Sequence, residues 1–184
     1  MRQKSRAVVA RDRSGQVTIE DIWVEAPRHG EVMVKMEACG VCHSDLSAAT
    51  GVIPLPQPVV LGHEGAGRIV AVGDGVKGLA VGDRVMSSFV SMCGHCRYCT
   101  TGRPQLCDQN ARTTASLPDG SVRTFDMAGQ ALNVLCGCGV MSEYATLHMD
   151  NVVKVEQPDI PMECCALISC GVMTGVGAVL NTAK

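Results

Sequence analysis

Short apolar and β-branched runs, each closed by turn residues, fill the first half of the chain. Residues 7–10 (AVVA) and 17–24 (VTIEDIWV) flank Asp12-Arg13-Ser14-Gly15 and predict a hairpin. The alternating run Glu31 to Met36 predicts a third strand. It leads into Glu37-Ala38-Cys39-Gly40-Val41-Cys42-His43-Ser44-Asp45, with Cys42 read at the strand's end. Pro54, Pro56 and Pro58 mark a loop, because each fixes its own φ and lacks a backbone donor. Val59 to Leu61 and Ile69 to Val72 predict strands on either side of Gly62-His63-Glu64-Gly65, and Asp83 to Phe89 predicts another. Residues 108–139 are polar, contain glycine and show little period. Glu143 to Leu147 and Val152 to Val155 predict strands around a turn at Asp150-Asn151, and from Met162 the spacing is helical. Many short strands separated by turns predict a mainly β (α+β) fold, barrel-like in its first part.

Two features of the helical end change the picture. The pattern stops at Asn181-Thr182-Ala183-Lys184 with no helix-ending signal, which reads as a cut within a longer protein. The uncharged run Cys164 to Leu180 is broken by Gly171, Gly175 and Gly177. It falls short of the roughly 20 apolar residues that span a bilayer, so it reads as buried interior and not as membrane.

Composition narrows the class. With 46% hydrophobic residues in 184, the chain can bury one domain's core. A net charge of −2 and 3% aromatics exclude the basic, stacking surface of a nucleic-acid binder. Eleven cysteines would suit a secreted disulfide scaffold, but residues 1–15 are basic and polar with no apolar signal segment. Metal-bound and free thiols in a reducing cytoplasm fit better.

Four of those cysteines lie together: Cys93, Cys96, Cys99 and Cys107. Disulfides across so short a loop would meet poor geometry, and a redox Cys-x-x-Cys would leave two thiols idle. Four thiolates can close a tetrahedral shell on zinc, and a closed shell is structural. Chemistry must then lie elsewhere. Cys42, His63 and Cys170 form a set of the other kind, two thiolates and an imidazole with a fourth position open. Spacing does not decide for it. A single cysteine is more often an inert apolar residue, the reading given to Cys39, Cys136, Cys138, Cys164 and Cys165. Gly73-Asp74-Gly75-Val76-Lys77-Gly78 matches a dinucleotide fingerprint, but no helix-forming stretch follows, so it reads as a turn between strands.

These motifs together resemble the zinc-dependent alcohol dehydrogenases of the medium-chain dehydrogenase/reductase family. Gly62-His63-Glu64-x-x-Gly67-x5-Gly73-x-x-Val76 is similar to its zinc signature. Cys39 to Asp45, the four-cysteine lobe and Ser169-Cys170-Gly171-Val172-x-Thr174-Gly175 match three further regions in order. The resemblance implies a GroES-like distorted β-barrel catalytic domain over residues 1–160, with a zinc lobe at 91–108. Residues 161–184 would lead toward a Rossmann domain that this sequence does not contain. It implies two zinc ions per full-length chain, NAD or NADP, a small alcohol or aldehyde substrate, and a homodimer or homotetramer.

Site roles follow from the same resemblance. Cys42, His63 and Cys170 match the catalytic zinc ligands, and Cys93, Cys96, Cys99 and Cys107 the structural ones. Ser44 matches the hydroxyl that takes the alcohol proton. Asp45 matches the carboxylate behind the His ligand, and Glu64 one that can approach the metal. His43 matches a contact to the cofactor pyrophosphate, Thr174 a position beside the nicotinamide, and Phe89 the substrate pocket. One position departs: Ser47 stands where liver-type members carry a proton-relay His. The long segment 108–142 resembles the branch of liver-type, benzyl-alcohol and thiol-dependent formaldehyde dehydrogenases. The other readings are a non-catalytic zinc-binding module, a zinc ribbon and a zinc-free quinone reductase. The last is disfavoured by the intact ligand set.

Overall fold

Arg2–Ala10 (β1) and Thr18–Glu25 (β2) form the expected hairpin, paired antiparallel from Arg2↔Glu25 to Val9↔Thr18. A computed structural model describes residues 2–110 and 114–183 of the chain. Every second residue of β1 and β2 turns inward, so Ala7, Val9, Ile22 and Val24 join one core cluster. Glu31–Cys39 (β3) runs three residues past the expected strand. Val59–Val60 (β4), Gly65–Val72 (β5) and Arg84–Ser87 (β6) follow, with a turn at Asp74-Gly75 and no helix after the decoy fingerprint.

The low-period stretch departs from expectation. It holds Thr124–Asp126 (β7) and Ala131–Val134 (β8), strands of three and four residues, too short to display an alternation. Residues 111–113 of that stretch lie outside the described residues. These two strands close the barrel: β7 pairs with β2 and β8, and β8 pairs with β4, which returns to β1. Tyr144–His148 (β9) and Val152–Lys154 (β10) complete a second sheet in the order β10-β6-β5-β3-β9. Its inner face buries Val32, Val34, Ile69, Val85 and Leu147.

Two arginines tie irregular segments to these sheets. Arg123 reaches Glu31 at the start of β3 with bonds of 2.9 and 2.5 Å, both side chains buried. Arg84 donates to the carbonyls of Gln157, Pro158 and Ile160, fixing the approach to the C-terminal helices.

Helices are few. His43–Ala49 (α1) was not expected; Cys42 does not end β3 but caps α1. Arg97–Thr100 (α2) lies in the cysteine lobe. Met162–Leu167 (α3) continues through a π-helical turn, Ile168–Val172, into Met173–Asn181 (α4). α3 buries Met162, Cys165 and Ala166 against β3, β5 and β6. The expectation of buried interior fails for α4, which buries no residue: Val176, Val179 and Leu180 are 53%, 66% and 72% exposed. The stretch Met162–Asn181 is long and apolar enough to cross a bilayer by length and composition, with a mean hydropathy of 1.8. Nothing among the described residues covers its outer face.

Candidate metal centres and active site

The lobe that follows β6 folds around sulfur. Cys93, Cys96, Cys99 and Cys107 bring their Sγ atoms within 4.8 Å of one another. Cys96 caps α2, Pro104–Leu106 forms a single 3-10 turn, and Cys107 is buried behind it. The Cys96 N–H donates to Cys93 Sγ at 3.3 Å, and the Cys93 N–H to Cys107 Sγ at 3.4 Å. Such bonds favour thiolate over thiol. Backbone N–H groups of Cys99 and Asp108 lower the Cys96 thiol to about 6. Burial and neighbouring sulfurs push Cys99 up to about 12. Thiols so crowded cannot all ionise without a cation among them, and four sulfur donors fit zinc.

The second cluster collects residues from three parts of the chain. Cys42 comes from the cap of α1, His63 and Glu64 from the turn between β4 and β5, and Cys170 from the π-helical turn. Ligand atoms of all four lie within 4.8 Å of one another, with His63, Glu64 and Cys170 buried and Cys42 half-buried. Two glycines let the backbones approach. A Cβ on Gly40 would lie 2.1 Å from a Glu64 carboxylate oxygen. Gly62 has φ +94°, and a Cβ there would meet the Met141 nitrogen at 2.3 Å.

Asp45 joins the pieces behind the cluster. Its carboxylate accepts the Cys42 N–H at 3.0 Å and the Gly62 N–H at 2.9 Å, and lies 3.5 Å from His63 Nδ1. With Nδ1 turned to Asp45, Nε2 is the nitrogen left for a metal. Burial opposes the Asp45 charge, but His63 and the two N–H donors outweigh it and hold this carboxyl below its ordinary range. Burial likewise opposes a charged His63, yet Asp45 and Cys42 raise its pKa. Burial works against the Cys42 thiolate, which Ser44 and His63 nevertheless stabilise, lowering its pKa. Cys170 is pushed up to about 12, first by burial and then by Cys42. Two thiols, a carboxylate and an imidazole gathered within 4.8 Å, three of the four residues buried, form a site that a divalent cation would stabilise. The Cys-His-Cys set is one that zinc takes.

The other named residues surround this cluster. Cys42 Sγ donates to Ser44 Oγ at 3.6 Å. Phe89 meets the His63 ring edge-on, centroids 5.7 Å apart. Thr174 follows Cys170 by one helical turn, at the start of α4, and opposes the rise of the Cys170 pKa. His43 is exposed, and its Nδ1 lies 3.3 Å from Ser47 Oγ. Of the cysteines read as inert core, Cys138 and Cys165 are buried, Cys39 and Cys136 partly so, and Cys164 is exposed. Burial raises Cys39 to about 12 and Cys136 to about 11, which keeps both protonated. One residue was not anticipated. Ser87 sits under His63 and Glu64, and no local pattern marks a contact made 24 residues away.

The family model of the alcohol dehydrogenase GroES-like domain matches residues 28–157. The chain belongs to that family. An NDMA-dependent alcohol dehydrogenase of Amycolatopsis methanolica is 43% identical over 173 residues, covering 94% of this chain and 46% of that protein. An S-(hydroxymethyl)glutathione dehydrogenase of Synechocystis is 42% identical over 184 residues, 98% of this chain and 49% of that protein. Among solved structures, an alcohol dehydrogenase zinc-binding domain protein from Burkholderia ambifaria superposes with a TM-score of 0.92 at 37% identity. The match covers 99% of this chain and 50% of that one. The chain thus spans about half the length of the alcohol dehydrogenase relatives it matches. Both clusters lie past the C-terminal end of β6 in the second sheet: the His63 turn contacts Ser87, the last residue of that strand, and the lobe begins beyond Val90.

Proposed function

We propose that residues 1–160 are the catalytic domain, with its lobe at 91–108, of a zinc-dependent alcohol dehydrogenase. Residues 161–184 lead toward a nucleotide-binding domain of the longer protein. The reaction is the reversible oxidation of an alcohol to an aldehyde or ketone, with NAD or NADP accepting hydride. The convergence of Cys42, His63 and Cys170 beside Glu64 carries this reading.

Zinc held by Cys42, His63 and Cys170 would supply a Lewis acid that lowers the pKa of an alcohol hydroxyl. Every other part belongs to the chain. Ser44, beside Cys42 at the start of α1, takes the alcohol proton at Oγ. Asp45 holds Cys42, Gly62 and His63 in fixed relation, so the ligands need not reorganise. Glu64 offers a further carboxylate to the same space, and Phe89 packs its ring edge-on against His63. His43 on the exposed face of α1 would meet the anionic part of the cofactor, and Thr174, one helical turn after Cys170, its nicotinamide. Ser47 occupies the relay position with a hydroxyl bonded to His43, so a proton leaving Ser44 depends on water or cofactor hydroxyls. The four-cysteine lobe binds a second, structural zinc.

A thiol-adduct alcohol is the second reading, favoured by the likeness to the S-(hydroxymethyl)glutathione dehydrogenase. Eleven cysteines outside disulfides, six of them read as metal ligands, support a cytoplasmic location, and the full-length protein is read as a homodimer or homotetramer. The test uses the full-length protein. Metal analysis gives two zinc ions per chain. Cys42→Ser is expected to lose one zinc and nearly all alcohol oxidation, with the other zinc retained. Unchanged turnover in that variant would remove this cluster from the chemistry, and a parent protein with zinc but no turnover leaves a non-catalytic zinc-binding module. Comparing simple alcohols with the glutathione adduct of formaldehyde separates the two substrate readings.

A further inference from the structure

Ser87 ends β6 directly beneath the turn that carries His63 and Glu64. It is 3% exposed. Its hydroxyl donates to the His63 carbonyl at 2.7 Å and accepts the Gly65 N–H at 2.8 Å. One side chain therefore spans Glu64 and satisfies a backbone group on each side of it. The ladder between β5 and β6 begins only at Ala66↔Met86, so the Ser87 side chain takes over where strand pairing stops. From the other side, the Gly40 N–H holds the Glu64 carbonyl at 2.8 Å. The three bonds fix the two-residue segment whose side chains both enter the cluster.

We infer that Ser87 is a positioning residue for the open metal site, its hydroxyl fixing the backbone from which His63 and Glu64 reach the ligand cluster. The inference rests on the metal reading of Cys42, His63 and Cys170 given above. Ser87 makes its bonds to backbone atoms and acts through His63. Without its hydroxyl, a buried carbonyl and a buried N–H lose their partner, and the turn relaxes to find others. The imidazole then shifts relative to Cys42 and Cys170. Zinc and cobalt hold such ligands within narrow distances. The four-cysteine lobe shares none of these bonds and stays as it was.

The test uses the full chain loaded with cobalt(II). Ligand-field bands and release to a chelator are read separately for the sulfur-only and the mixed sites. Threonine and valine have nearly the same shape, so Ser87→Thr and Ser87→Val differ in the hydroxyl alone. Ser87→Val is expected to release mixed-site cobalt about 10–100-fold faster, the range typical of partners one step behind a ligand. Its mixed-site band should shift, with the sulfur-only site unchanged and Ser87→Thr close to the parent. Ser87→Ala removes the hydroxyl without added bulk and serves if the valine variant does not fold. Equal behaviour of Thr and Val variants overturns the inference, as does faster release from both sites together. A parent chain that takes cobalt only in the sulfur-only lobe instead defeats the underlying metal reading.

Discussion

Arg123 and Glu31 meet through two hydrogen bonds with side chains only 2% and 4% exposed. Arg123 also reaches Ser121 and Asp119, while Glu31 accepts the Arg28 N–H. The guanidinium thus ties the segment before β7 to the first residue of β3. Burial opposes the Arg123 charge, but Glu31 and Asp119 raise its pKa, so it stays a cation. Removing one member of such a pair strands the other's charge, at a cost of about 3–5 kcal/mol. Arg123→Met is therefore expected to lose stability on that scale in urea unfolding. The double change Arg123→Met with Glu31→Leu should recover much of it, because no stranded charge remains. A single variant within about 0.5 kcal/mol of the parent would mean that water already reaches the pair.

Elements differ in how plainly the chain announces them. The β1–β2 hairpin was legible because β-rich runs at 7–10 and 17–24 flank a turn, although β1 extends back to Arg2 through a polar stretch that shows no apolar run. The cysteine lobe was legible because all four donors lie within one short loop. β7 and β8 were not, since so few residues show no period and their pairing is settled by distant β2 and β4. α1 was hidden because cysteine, not serine, occupies its cap, although Asp45 completes a capping box there. Cys170 could be named but not placed, as its approach to Cys42 depends on the whole sheet between them. The lobe makes its own prediction. It has one short helix, α2, one 3-10 turn and, apart from Ser91 and Cys107, no buried residue. The zinc proposed for it would therefore supply most of its order, about 10–16 kcal/mol in small zinc-bound peptides. Chelation is expected to open residues 91–108 to proteolysis first, with β1–β3 still protected. Unchanged cleavage in the lobe after verified zinc loss would show that its backbone holds itself.

At the scale of the molecule, the barrel and the second sheet are closed around their cores while α4 is left outside. α3 contributes Met162, Cys165 and Ala166 to the core, and the π-helical turn contributes Ser169 and Cys170. From the end of that turn onward, Val172, Met173, Val176, Val179 and Leu180 all face solvent. An exposed apolar patch of this kind on an otherwise closed surface draws other apolar surface to it. The 184-residue chain is therefore expected to self-associate at micromolar concentration and to bind a hydrophobic dye. Replacing Val176, Val179 and Leu180 by lysine should abolish both. None of these three side chains touches a proposed ligand, so metal content should stay the same. Sedimentation velocity and dye titration measure the first effect, and metal analysis the second. A parent chain that sediments as a monomer without binding dye would show that this face is not adhesive. Loss of mixed-site metal in the lysine variant would give α4 a different role. Its packing would then help to hold the π-helical turn, and the position of Cys170 would depend on residues well outside the cluster.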